Sequence, residues 1–104
     1  MTIKWVQVDP LVMNGEPFCY GSRLTVRQLL ELRRNGYGLP RILTDHPELK
    51  PMGVANAYVY ASRHPERYRE FLAKDGSLIG PGLTADEAAP LPPEVRLPGV
   101  VVTG

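Results

Sequence analysis

The fold is decided by residues 25–63, TVRQLLELRRNGYGLPRILTDHPELKPMGVANAYVYASR, which carry start and stop signals for three consecutive helices. Thr25 is a favourable N-cap for the first helix. Gly36 predicts its end, because glycine adopts the left-handed conformation of a C′ residue at little cost. Pro40 lies in the first turn of a short second helix, and Pro51 begins the third. The stretch therefore predicts helix, tight turn, short helix, turn and longer helix.

Apolar residues of the first and third helices recur with helical spacing. In the first helix, Gln28 completes a capping box with the N-cap residue. One stripe of this helix is formed by Val26, Leu29, Leu30 and Arg33. The apolar face of the third helix is formed by Val54, Ala57, Tyr58 and Ala61. Each helix therefore has a face that is suited to packing in a core.

Two short strands are predicted before the helices. Residues 3–8 alternate between polar and apolar side chains, and residues 17–20 form a second run after the turn dipeptide Asn14-Gly15. A two-stranded unit is marginal alone, and its edges are unpaired. We therefore expect the hairpin to pack on the helices and to take part in a homodimer. A fourth helix is predicted over residues 65–74.

The last thirty residues differ in composition from the rest of the chain. Residues 75–104 are rich in proline and glycine and carry one arginine against four carboxylates, whereas residues 16–74 hold ten Lys and Arg against six Asp and Glu. We predict two regions: 1–74, a hairpin with a helix-turn-helix-like domain, and 75–104, an extended tail. The predicted fold class is mainly α, with an N-terminal β-hairpin, a three- to four-helix, helix-turn-helix-like (winged-helix-like) core and this tail.

The sequence contains no motif typical of an enzyme, a metal site or a cofactor site. Cys19 is the only cysteine and lies between two aromatic residues, where a buried thiol is expected. His46 and His64 each precede a proline at a predicted helix end, a position that suits capping. No apolar stretch of the sequence is long enough to span a membrane, and the N-terminus lacks a signal-peptide pattern. We therefore expect a cytoplasmic protein that is not an enzyme.

Three helices in this order are typical of a helix-turn-helix, whose last helix enters the major groove of DNA. Asparagine can pair with adenine and arginine with guanine, while other basic side chains contact phosphates. The alternative is a three-helix core with a solvated polar face. The predicted DNA-binding residues are Arg23, Arg27, Arg41, Lys50, Asn56, Tyr60 and Arg63.

The tail has apolar residues spaced along an otherwise polar strip. If a partner protein supplies the buried surface, such a segment can fold upon it. The predicted partner-binding residues are Leu78, Ile79, Leu83, Val95, Leu97 and Val101. The alternative is that the tail packs back on its own dimer and that its valines pair with the N-terminal strand.

Between Asn14 and Tyr68 the sequence resembles the domain-of-unknown-function 433 family, which is often described as antitoxin-like. The matching stretches are 14–17 (NGEP), 21–26 (GSRLTV), 36–38 (GYG), 46–49 (HPEL) and 54–61 (VANAYVYA). The resemblance implies a small, dimeric DNA-binding antitoxin, often encoded beside a toxin with a PIN-like nuclease fold. We therefore expect a DNA-binding autoregulator that neutralises such a toxin. Low net basicity and Glu16, which stands where the family usually has lysine, favour the alternative of a protein-protein interaction module without nucleic-acid binding.

Overall fold

The N-terminal hairpin is present in the computed structural model, which describes residues 5–11 and 15–102. Strand β1, Val6–Gln7, pairs antiparallel with β2, Phe18–Cys19, so that Val6 lies opposite Cys19. The hairpin prediction is confirmed, although both strands are shorter than expected. The parts of the predicted hairpin at positions 3, 4 and 14 lie outside the described residues.

The three predicted helices are confirmed with their predicted signals. They are α1, Val26–Arg34; α2, Leu39–Asp45; and α3, Pro51–Arg63. The Thr25 side chain accepts a hydrogen bond from the Gln28 backbone N–H, and the Gln28 side chain accepts one from the Thr25 N–H, which completes the capping box. Gly36 has a φ of 93°, the left-handed conformation expected after a helix end.

The predicted fourth helix over residues 65–74 is wrong in its extent. The chain forms turns after α3 and then a single 3₁₀ turn, Arg69–Phe71. The reason lies in its backbone partners: the Ala73 N–H donates to Ser77 O, and the Ile79 N–H donates to Phe71 O. These bonds fold residues 71–79 into a tight reversal, so the groups that would continue a helix pair across the turn instead.

The C-terminal region packs against the rest of the chain and is not an extended tail. It contains a short helix α4, Ala85–Ala88, whose N-cap Thr84 forms a capping box with Glu87, and a 3₁₀ turn, Pro93–Val95. The Leu83 N–H donates to Val100 O and Leu83 O accepts from the Val102 N–H. The tail residues buried in the common core are Leu78, Leu83, Ala88, Val95 and Val100. The valines therefore pair with Leu83 and not with the N-terminal strand.

Helix α3 is the central element of this core. It contacts α1, α2, both strands and the Pro93–Val95 turn. Because neighbours surround it, seven of its thirteen residues are buried, including Gly53 and Val59 outside the predicted apolar face. Among the described residues, no helix combines the length and apolar character that crossing a membrane requires.

Candidate functional site

A groove lies between the hairpin and the outer side of α3. Its volume is about 260 Å³. The Trp5 ring forms one wall and lies over Gly53, where an added Cβ would be 3.5 Å from the ring. The lining residues are Trp5, Val6, Asn56, Val59, Tyr60, Arg63 and His64. The small side of α3 at Gly53 thus allows the hairpin to approach the helix.

The floor of the groove is held in place by ring contacts and local hydrogen bonds. The Tyr60 and His64 rings stack with centroids 4.1 Å apart, and His64 Nδ1 lies 2.8 Å from Tyr60 O. Tyr68 meets Tyr60 edge-on at 6.3 Å. Asn56 Nδ2 donates to Met52 O at 2.9 Å, so part of its amide is already engaged within α3. Asn56, Tyr60 and Arg63 are therefore brought together, but beside the hairpin.

Arg27, a predicted phosphate contact, forms contacts with other residues of the chain at the surface. It forms an ion pair with Glu70 and donates from Nη2 to Arg67 O at 3.0 Å. Its guanidinium carbon also lies 5.2 Å from the centroid of the Tyr68 ring. This side chain joins α1 to the 3₁₀ turn, and these contacts compete with a ligand for its donors.

Two predicted cations, Arg23 and Lys50, are exposed near the start of α3. Lys50 is the N-cap residue of α3. Arg23 shares a shallow recess with Glu48, and the Ser22 hydroxyl lies 3.5 Å from a Glu48 carboxylate oxygen, which ties this turn to the segment before α3. Within residues 5–11 and 15–102, neither cation forms an ion pair.

Arg41 is the remaining predicted cation and lies on α2. Its Nε is 3.3 Å from the Asp45 carboxylate, and its guanidinium lies 4.6 Å from the Tyr37 ring centroid. The side chain is nonetheless 63% exposed, and such exposed pairs are weak and easily exchanged for another anion. The seven predicted residues therefore divide into three groups: the groove residues Asn56, Tyr60 and Arg63, the intramolecular contact of Arg27, and three exposed cations, Arg23, Arg41 and Lys50.

The predicted partner-binding residues also divide, by exposure. Leu78, Leu83 and Val95 are buried in the core of this chain and are not presented to a partner. Ile79 is exposed, and Leu97 and Val101 are half-buried. The anchor prediction fails for the three buried residues because the body of the same chain already provides their apolar surroundings.

The cysteine and histidine positions agree with their expected structural roles. Cys19 is buried, and burial raises the pKa of its thiol to about 12, which keeps it in the unreactive protonated form. His46 and His64 are the C-cap residues of α2 and α3. The described part of the chain contains no cluster of three or more His, Cys, Asp or Glu that could hold a metal ion.

Sequence reasoning missed the buried guanidinium of Arg33. This side chain is 0% exposed and lies against the Tyr58 ring, with 4.7 Å between its carbon and the ring centroid. The signal was its position on the apolar stripe of α1, where a charged residue is rarely fully buried without a partner.

The family comparison matches residues 6–61, more than half of the chain, to the model described as "Protein of unknown function (DUF433)". The match covers the hairpin and ends within α3. No curated protein and no solved structure matches the chain.

Proposed function

The chain belongs to the DUF433 family, and we propose that it is a cytoplasmic, DNA-binding antitoxin that represses its own promoter and neutralises a PIN-like nuclease toxin. The observation that carries the DNA-binding part is the pair of exposed cations, Arg23 and Lys50, at the N-terminal end of α3. In helix-turn-helix proteins this end of the third helix meets the DNA. The toxin-binding part rests on the resemblance described above.

The geometry changes which residues are proposed to meet DNA. Helix α3 buries seven of its thirteen residues, and its N-cap residue Lys50 is exposed, so we assign the DNA contact to the N-terminal end of the helix. Arg23, Arg41 and Lys50 then contact phosphates, which contributes affinity without sequence preference. Asn56, Tyr60 and Arg63 lie beside Trp5, in the protein groove between the hairpin and α3, and we no longer assign them to DNA contact.

The test is a mobility-shift titration with the protein's own promoter at several salt concentrations. We expect Lys50→Ala to weaken binding at all sequences and to lower the salt slope by about 1, because one phosphate contact is lost. Lys74→Ala is the matched control, since Lys74 is an exposed lysine outside the proposed surface. Equal slopes for wild type and Lys50→Ala, or no promoter binding at all, would contradict the DNA-binding proposal.

A protein-protein interaction module without nucleic-acid binding is the second candidate. It is favoured by the large apolar side chains that the hairpin region exposes: Val8 at 57%, Leu11 at 94% and Tyr20 at 48%. Large exposed apolar side chains in one region of a protein are often part of an interaction surface. Co-expression with the product of the adjacent gene separates the two candidate functions. A complex that does not bind the promoter supports the interaction module. A chain that both forms the complex and binds the promoter supports the antitoxin.

The same exposed side chains lead us to predict a homodimer formed through the hairpin. Val8→Asp should convert a dimer into a monomer in light scattering, because a buried charge at the interface is left unpaired. Val8 is a better site than Trp5, which also packs internally on Gly53. Ile79→Asp is the control, since Ile79 is exposed in the C-terminal region. A wild-type protein that is monomeric at micromolar concentration would contradict this prediction.

A further inference from the structure

Arg33 carries a charge that the described part of the protein does not neutralise. Its Nη2 donates to Leu78 O over a long 3.4 Å, and its Nε and Nη1 have no hydrogen-bond partner. No carboxylate of the described residues forms an ion pair with it. Burial lowers its pKa, although the neighbouring Tyr58 acts in the opposite direction. A buried cation with free donors is costly unless an anion pairs with it.

A cavity lies beside this side chain. Its volume is about 340 Å³, and Arg33 is part of its lining. The remaining lining comes from the C-terminal region: Ser77, Leu78, Gly80, Pro98, Gly99, Val101 and Val102. Apart from Ser77, these are apolar or glycine residues, so Arg33 is the one charged residue among the described residues of the lining.

Glycine backbone packs closely around Arg33. An added Cβ at Gly82 would lie 3.3 Å from Arg33 Nη1 and 2.5 Å from Val100 O. At Gly80 it would overlap the Arg33 carbonyl oxygen. These close approaches require glycine at both positions, and they hold the C-terminal region against Arg33 without adding a side chain that could pair with the guanidinium.

We propose that this cavity is a binding site for a small oxyanion, a carboxylate or a phosphate group, which pairs with Arg33. Arginine suits this ligand class because its planar fork of N–H donors matches oxyanion geometry. The site is separate from the proposed DNA-contacting surface, since it joins the C-terminal end of α1 to the C-terminal region. Its occupation would neutralise the buried charge and tighten the packing of residues 77–102 on the body.

The experiment is an NMR titration of the whole chain with sodium phosphate and, separately, with sodium acetate, with sodium chloride matching the ionic strength. We expect saturable shifts at Gly80, Gly99 and the Arg33 Nε–H with at least one of the two oxyanions, and the responding anion identifies the ligand class. In Arg33→Met the affinity should fall by about tenfold or more. The matched control is Arg34→Met, which removes an exposed neighbour and should bind like wild type.

A second variant keeps Arg33 and tests the same idea if Arg33→Met does not fold. Val102 Cγ2 and Arg33 Nη1 both lie within 3.3 Å of the same point beside Gly82, so Val102→Glu brings a carboxylate within reach of the guanidinium. We expect this variant to lose the anion response and to unfold at a higher temperature than wild type. The proposal is overturned if wild type shows no saturable shift, if Arg34→Met abolishes it, or if Val102→Glu binds the anion unchanged.

Discussion

A chain that ends after Asp75 is expected to be unfolded. Truncation removes four large buried side chains of the common core, Leu78, Leu83, Val95 and Val100. Each contributes about 1.5–3 kcal/mol when it is buried, and a small domain has a total stability of only about 5–15 kcal/mol. The loss is comparable to the whole free energy of unfolding. Far-ultraviolet circular dichroism and urea titration of the truncated chain measure this directly.

Two point variants separate lost packing from the loss of chain length. Leu83→Ala should lower the free energy of unfolding by about 2–5 kcal/mol, because Leu83 is 1% exposed. Ile79→Ala is the control, since its side chain is exposed at 36%, and we expect it to cost under about 1 kcal/mol. A truncated protein that remains folded and dimeric would contradict the packing seen here. It would also support the prediction from the sequence that residues 75–104 are free to bind a partner protein.

Local signals were sufficient to predict the three helices. The capping box at Thr25, the left-handed Gly36 and the first-turn prolines act over a few residues, and each depends only on nearby backbone geometry. The hairpin was likewise predicted from local signals, namely the alternation of residues 3–8 and the turn dipeptide Asn14-Gly15. The signal for α4 was also available, because Thr84 and Glu87 have capping-box spacing, but the proline-rich composition of residues 75–104 led us to an extended tail.

Long-range packing could not be predicted from these signals. The burial of Leu83 and Val100 depends on a surface formed by residues that are distant in sequence, and composition does not reveal whether that surface belongs to the same chain. The same applies to α3. Its apolar face was predicted correctly, but Gly53 is buried because Trp5, almost fifty positions away, covers it. The assignment of Asn56 to an open DNA-reading face therefore depended on contacts that helical periodicity cannot show.

The candidate site residues also differ in whether local signals were sufficient to predict them. Arg23 and Lys50 were predicted from charge and helix position, and exposure at the start of α3 is consistent with that assignment. Arg33 stood on the apolar stripe of α1 without being singled out, because its importance comes from the cavity that residues 77–102 complete. A charge on a buried stripe predicts that something must neutralise it, whereas the position of the neutralising group is a property of the tertiary fold.

Gly80→Ala is expected to lower the free energy of unfolding by roughly 3 kcal/mol or more, because left-handed strain and overpacking against backbone act together. Gly80 has a φ of 96°, and an added Cβ would lie 1.9 Å from Arg33 O, which the α1 backbone cannot move aside cheaply. Gly76→Ala is the matched control: its φ is 87°, but nothing lies within 4 Å of the added Cβ. Gly76→Ala should therefore lower the free energy of unfolding only by the cost of left-handed strain, about 1–2 kcal/mol. Urea titrations that give equal losses for both variants would show that the C-terminal region does not approach α1 at Gly80.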